Sequence, residues 1–171
     1  MGVLFTSDLH LGHKTIPKYR DTFPTMEAHD EYILDKMSNL SKRHILYILG
    51  DFIFDGPKYT EYMARISEMP ARFRVIMGNH DTLKLHDEEK IEILNPLYTK
   101  KHMWFSHAPI HPKELRDKFL NVHGHLHQHS LADQHYFNVN IDANEYEFVE
   151  FDTLKQRRDS NIKLSNIAAM E

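Results

Sequence analysis

Asp8 and His10 stand one residue apart just past a short apolar run, and the same kind of pairing returns along the chain. Asp51 follows Gly50, Asn79 and His80 follow Gly78, His107 follows Phe105-Ser106, and His125 and His127 follow Gly124. A carboxylate and an imidazole so spaced beyond a strand end can be turned onto one ion, and a preceding glycine lets the backbone turn tightly there. The pool is two aspartates, an asparagine carbonyl and four histidines, with His80 beside them. Oxygen and imidazole donors without sulfur suit manganese, zinc, iron or nickel better than magnesium, which prefers oxygen and water. Seven donors are too many for one tetrahedral ion but suit two ions sharing a bridging carboxylate. Two ions roughly 4 Å apart can clamp the attacking and leaving oxygens of an in-line displacement.

The elements that must position these groups can be read from the apolar patterning. Val3 to Ser7, His44 to Leu49, Phe73 to Met77 and His102 to Ser106 read as buried strands. Each ends on a candidate donor: Asp8, Asp51, Asn79 and His107. Thr25 is a plausible cap for a helix carrying Ile33, Leu34, Met37 and Leu40, and a second helix is expected after Pro57. Thr82 to Leu94 reads as a charged helix and Lys113 to Lys118 as a short one. Tyr136 to Ile141 and Glu145 to Phe151 read as a final hairpin, and 159–171 as a loosely ordered tail. Early alternation of strands and helices with strands dominating later predicts an α/β domain with mixed sheets. In such sheets a site forms where strands end at their carboxyl edge.

Together the ordered motifs Asp8-x-His10, Gly50-Asp51, Gly78-Asn79-His80-Asp81, His107 and Gly124-His125-x-His127 resemble the calcineurin-like metallophosphoesterase superfamily. The resemblance runs from Ser7 to His127 and is nearest to its small stand-alone bacterial and phage members. It implies a four-layer α/β/β/α sandwich with two mixed sheets between helices. It also implies a first metal on Asp8, His10, Asp51 and His127, a second on Asp51, Asn79, His107 and His125, and a hydroxide between the ions that attacks phosphorus. His80 resembles the histidine that stabilises the transition state or protonates the leaving oxygen. A carboxylate would hold it; Asp55 and Asp81 are the candidates. In protein phosphatases that partner lies three residues after the bridging aspartate, whereas Asp55 lies four after. The phosphate-holding arginines of that branch are replaced by Gly56 and Met77, which turns the expectation away from phosphoproteins. His13, Lys14, Tyr19 and Arg20 become the nearest supply of phosphate-binding groups, with Asn79 and His80 also facing substrate. Asn138 to Asp142 resembles a late strand of the same subgroup.

Composition narrows the partners. The 171 residues fit a single domain. With 21 basic against 25 acidic side chains the formal net charge is -4, which argues against a protein built to grip duplex nucleic acid. Pairs such as Lys42-Arg43 and Lys100-Lys101 are too dispersed to form a groove. The chain has no cysteine, no signal-peptide pattern and no apolar run of membrane-spanning length, so a cytoplasmic enzyme is expected. The remaining histidines, among them His29, His123 and His129, read as structural or exposed. The expected function is two-metal hydrolysis of a small phosphomonoester or phosphodiester, a nucleotide or cyclic nucleotide included, with manganese first among the metals. The alternatives are a nuclease acting on DNA or RNA and a metal-binding interaction scaffold without catalysis.

Overall fold

The computed structural model describes residues 2–168. Among the described residues nine strands form two sheets. The first contains β1 (Gly2–Thr6), β2 (His44–Leu49), β3 (Arg72–Ile76), β4 (Ile91–Ile93) and β9 (Val149–Glu150), in the order β4-β3-β2-β1-β9. Its strands run parallel except β9, which is antiparallel to β1. The second contains β5 (Leu97–Lys100), β6 (Met103–Ser106), β7 (Leu120–His123) and β8 (Tyr136–Asn138) in that order; only the β5–β6 pairing is antiparallel. Both sheets are therefore mixed. Three helices flank them: α1 (Met26–Ser38), α2 (Tyr59–Glu68) and α3 (Phe151–Ala168). None of the described helices is long and apolar enough to cross a membrane.

The period of two along β2 explains how the layers stack. Ile45, Tyr47 and Leu49 face Phe5, Ile76, Phe105 and Val122 in a core between the sheets. Leu46 and Ile48 point the other way, against Ile33, Leu34 and Met37 of α1 and Tyr62, Met63 and Ile66 of α2. A strand buried on both faces reads as a continuous apolar run, as His44 to Leu49 does. Thr25 caps α1 as expected, its hydroxyl accepting the Ala28 N–H at 3.1 Å.

The later part of the chain departs from expectation. Thr82 to Leu94 is not a helix; it makes a 3-10 turn at Leu83–Asp87 and then the edge strand β4. The expected helix near Lys113 is only a 3-10 turn at Pro112–Glu114. No hairpin joins Tyr136 to Phe151: β8 closes the second sheet while β9 crosses to β1. Glu145 and Tyr146, both left-handed with φ of 52° and 62°, carry the chain between them. The expected tail is largely helical. α3 places Leu154 in the inter-sheet core, and two turns later the buried Asn161 amide donates to the carbonyls of Phe119 and Gln134. Residues 169–171 of that stretch lie outside the described residues.

Candidate metal centre

Five parallel strands end at one edge. β1, β2 and β3 of the first sheet deliver Asp8 to His10, Asp51, and Asn79 with His80; β6 and β7 of the second deliver His107, and His125 with His127. The loops are stitched across strands and across sheets. Asp8 N–H donates to Gly50 O at 2.9 Å, His10 N–H to Asp51 O at 2.9 Å, and His125 N–H to Asp8 Oδ2 at 2.9 Å. Asp8, His10, Asp51, His125 and His127 all hold left-handed backbone, with φ between 50° and 68°. Such conformations cost non-glycine residues energy and concentrate where a site over-determines the chain.

Glycines leave room for the donors. A Cβ at Gly78 would sit 2.2 Å from Asp51 Oδ1, and one at Gly124 would sit 2.4 Å from Asp8 Oδ2. Here the missing side chain matters for space. At Gly50 conformation matters as well, since its φ is +88°.

The donor atoms form two groups. Asp8, His10 and His127 make one and Asp8, Asp51 and His107 the other, each offering ligand atoms within 4.8 Å of one another. Asp51 Oδ2 spans both groups, 3.8 Å from His10 Nε2 and 3.5 Å from His107 Nε2. His107 Nδ1 lies 2.8 Å from Leu49 O, so in the neutral ring that nitrogen carries the proton and Nε2 presents its lone pair. That lone pair faces Asn79 Oδ1 at 2.9 Å and His125 Nδ1 at 3.1 Å. Asp8 Oδ1 and His10 Nε2 are buried without a hydrogen-bond partner. Convergent acceptors and unpaired buried donors of electron pairs are costly unless a cation stands among them. The donor set therefore fits divalent ions.

Electrostatics agree. Burial raises the Asp8 carboxyl above its ordinary value. Burial also drives His10 down to about 3, against the opposing charge of Asp51. For Asp51 burial is outweighed by His107, the His80 N–H and His10, which bring it down to about 2. The centre thus holds an ionised carboxylate beside a neutral imidazole at neutral pH, a pair that suits a metal.

A cleft of about 430 Å³ opens beside the first group, lined by His10, His13, Tyr19, Phe54, His80, His127, His129 and Asp142 among others. His13, Tyr19 and His80, expected to face substrate, line this cleft. His129, read there as peripheral, also lines the cleft. Lys14 is exposed and lines a neighbouring hollow with Asp55. Arg20 requires a correction: at 2% exposure it is enclosed by protein groups and presents nothing to substrate. Neither expected carboxylate holds the His80 ring. Asp55 pairs with Lys84 at 2.7 Å in solvent. Asp81 accepts the backbone N–H groups of Asp51, Phe52, Ile53 and Gly78, which fixes the loop that carries Asp51. The His80 ring stacks instead on Phe54, three residues after Asp51. Asp142, 3.1 Å from His127 Nδ1 and lining the same cleft, is a candidate site residue that the sequence reading missed. Its only signal was the late stretch Asn138 to Asp142.

This edge-of-sheet cluster of aspartates and histidines, on two facing mixed sheets, could hold divalent metal ions. The calcineurin-like phosphoesterase family model matches residues 1–166, and the chain belongs to that family. It is similar to the Gene 66 proteins of Mycobacterium phages L5 and D29, with 37% identity over 79 residues and 35% over 81. Those matches cover 45% and 46% of this chain but 38% and 40% of the phage proteins, so the chain spans about two fifths of their length. An uncharacterized protein of Methanocaldococcus jannaschii is 24% identical over 161 residues, covering 89% of this chain and 88% of that one. Among solved structures, a protein of unknown function from Aquifex aeolicus matches with a TM-score of 0.70 at 22% identity, over 91% of this chain and 98% of the other. Pseudomonas putida nuclease MPE matches with a TM-score of 0.51 at 21% identity, over 73% and 61%. At these identities the two structures speak to fold alone.

Proposed function

We propose that this chain hydrolyses a small phosphomonoester or phosphodiester, with a nucleotide or cyclic nucleotide within its range, using two divalent transition-metal ions. The observation that carries the reading is the arrangement of Asp51: one carboxylate lies between His10 and His107, at the junction of two donor groups. Asp8, His10, Asp51 and His127 would hold one ion, and Asp51, Asn79, His107 and His125 the other. The donor set of oxygen and imidazole favours manganese, with zinc, iron and nickel as alternatives. When bound, the ions supply neutralisation of the phosphoryl charge and activation of water.

The chain's own residues do the rest. Leu49 O and Asp142 orient His107 and His127 so that each presents Nε2 to the centre. The His80 N–H donates to Asp51 Oδ1 at 2.9 Å, which ties the loop of the proton-handling histidine to the bridging carboxylate. The His80 ring lines the cleft and can give a proton to the leaving oxygen. His13, Phe54, His80 and Tyr19 supply rings rather than cations, and among the described residues no lysine or arginine lines the cleft. A substrate with a planar group beyond phosphorus suits that wall, and charge on the phosphate is left to the metals. The absence of cysteine fits work in a reducing cytoplasm.

The nuclease reading draws on the same rings, which could stack bases. The net charge of -4 and the cation-free cleft favour the small substrate. A panel of p-nitrophenyl phosphate, bis-p-nitrophenyl phosphate, cyclic nucleotides and oligonucleotides with Mn, Ni, Zn and Mg tests this. Turnover of the small esters, lost in His80→Ala with metal retained, is expected. Preference for oligonucleotides would transfer the assignment to a nuclease, and no cleavage with any metal would favour a scaffold.

A further inference from the structure

Arg20 sits beneath the centre in a closed chain of polar contacts. Its Nε lies 2.6 Å from Asp142 Oδ1 as an ion-pair contact, and its second terminal nitrogen donates a hydrogen bond to Asp142 Oδ2 at 3.1 Å. The same nitrogen donates to Asp8 O at 2.5 Å, and the first terminal nitrogen to Leu9 O at 3.3 Å. That first nitrogen also lies 2.6 Å from His29 Nε2. His29 in turn places Nδ1 2.8 Å from Asp30 Oδ1, and Asp30 Oδ2 accepts the Gly12 N–H at 2.9 Å. Arg20, His29 and Asp30 are buried, and the Asp142 side chain is 5% exposed.

The hydrogen bonds assign every proton along this path. Arginine only donates, so His29 Nε2 accepts and its proton sits on Nδ1, directed at Asp30. Arginine likewise leaves Asp142 an acceptor, so the neutral His127 ring donates from Nδ1 and keeps Nε2 free. The guanidinium also holds the carbonyls of Asp8 and Leu9, inside the turn where Asp8 and His10 are left-handed. A buried cation is costly unless it is partnered, and this one is partnered by Asp142, the carbonyls of Asp8 and Leu9, and His29.

We infer that Arg20 is a positioning residue for one of the two ions, the one held by Asp8, His10 and His127, acting through Asp142 on the His127 ring and directly on the Asp8–Leu9 backbone. The other ion, on Asn79, His107 and His125, takes its orientation from Leu49 O and lies outside this path. The inference rests on the metal-binding half of the proposed function.

Titration of Mn into metal-stripped protein, followed by calorimetry, tests it. Wild type is expected to take up two ions. Arg20→Met and Asp142→Asn are expected to keep one at near wild-type affinity, which also reports that they are folded, and to bind the other about 10–100-fold more weakly. Two ions at unchanged affinity in both variants would overturn the inference. A wild type that binds no ion would overturn the functional reading instead. Should the variants not fold, the wild type decides: a long-range proton–nitrogen correlation spectrum of the metal-free protein at alkaline pH is expected to show His127 protonated at Nδ1. Protonation at Nε2 would contradict the path.

Discussion

The His80 ring lies stacked on Phe54, with centroids 5.3 Å apart and planes 23° from parallel. His10 meets the same histidine edge-on at 5.7 Å. Among the described residues no carboxylate holds a ring nitrogen of His80: Asp55 pairs with Lys84, and the adjacent Asp81 accepts backbone N–H groups. Orientation by an apolar face leaves both nitrogens available to substrate.

Replacing Phe54 should therefore act on turnover through His80. If His80 is the proton donor as proposed, Phe54→Leu is expected to lower kcat on the order of tenfold or more with metal content unchanged, because the ring loses its fixed direction. The loss should be larger for alkyl leaving groups than for p-nitrophenolate, which needs little protonation. Phe54→Tyr should restore most of it. Equal losses for both leaving groups would show that the ring only shapes the cleft.

The glycine before His125 gives a prediction about space. Gly124→Ala would set a Cβ 2.1 Å from Ser7 Oγ and 2.4 Å from Asp8 Oδ2, so Asp8 must move. Destabilisation of about 1–3 kcal/mol is expected in chemical denaturation, together with weakened metal binding. Gly56→Ala is the control, since nothing lies within 4 Å of its added Cβ. If the two variants behave alike, the tight fit at Gly124 carries no cost.

Acid should destabilise the metal-free protein partly through His123. This ring is buried at the end of β7, and burial pushes its pKa below the ordinary 6.5. The unfolded chain then binds a proton, below about pH 6.5, that the folded chain refuses. The sign is a stability contribution present above that pH and lost as pH falls. His107 and His127 are raised and oppose it, so the test is a difference. Denaturation between about pH 8 and pH 5.5 should show wild type losing more stability than His123→Gln. Parallel losses would remove His123 from the account.

The donors were legible because their chemistry is written locally: an apolar run, a glycine, then Asp, Asn or His. β2 was legible because a strand buried on both faces leaves an unbroken apolar signature. What remained hidden depends on distant partners. Arg20 looks like a free cation until the chain returns 122 residues later with Asp142. Phe54 looks like any core aromatic, and its role exists only once His80 lies against it. β9 has two residues, too few for a period, and the described part of α3 buries Leu154 and Asn161, seven residues apart, a face too thin to read. His29 carried no motif because its partners are a neighbour in the helix and a buried arginine.

Asp51 is the residue on which the two-ion account turns. The most direct measurement is metal stoichiometry and bis-p-nitrophenyl phosphate turnover, followed together as Mn is added to metal-free wild type and to Asp51→Asn. The account predicts that wild-type turnover grows as the second ion binds, and that Asp51→Asn binds both ions weakly and turns over little. An Asp51→Asn protein that still holds two tight ions, or a wild type fully active with one, would contradict it.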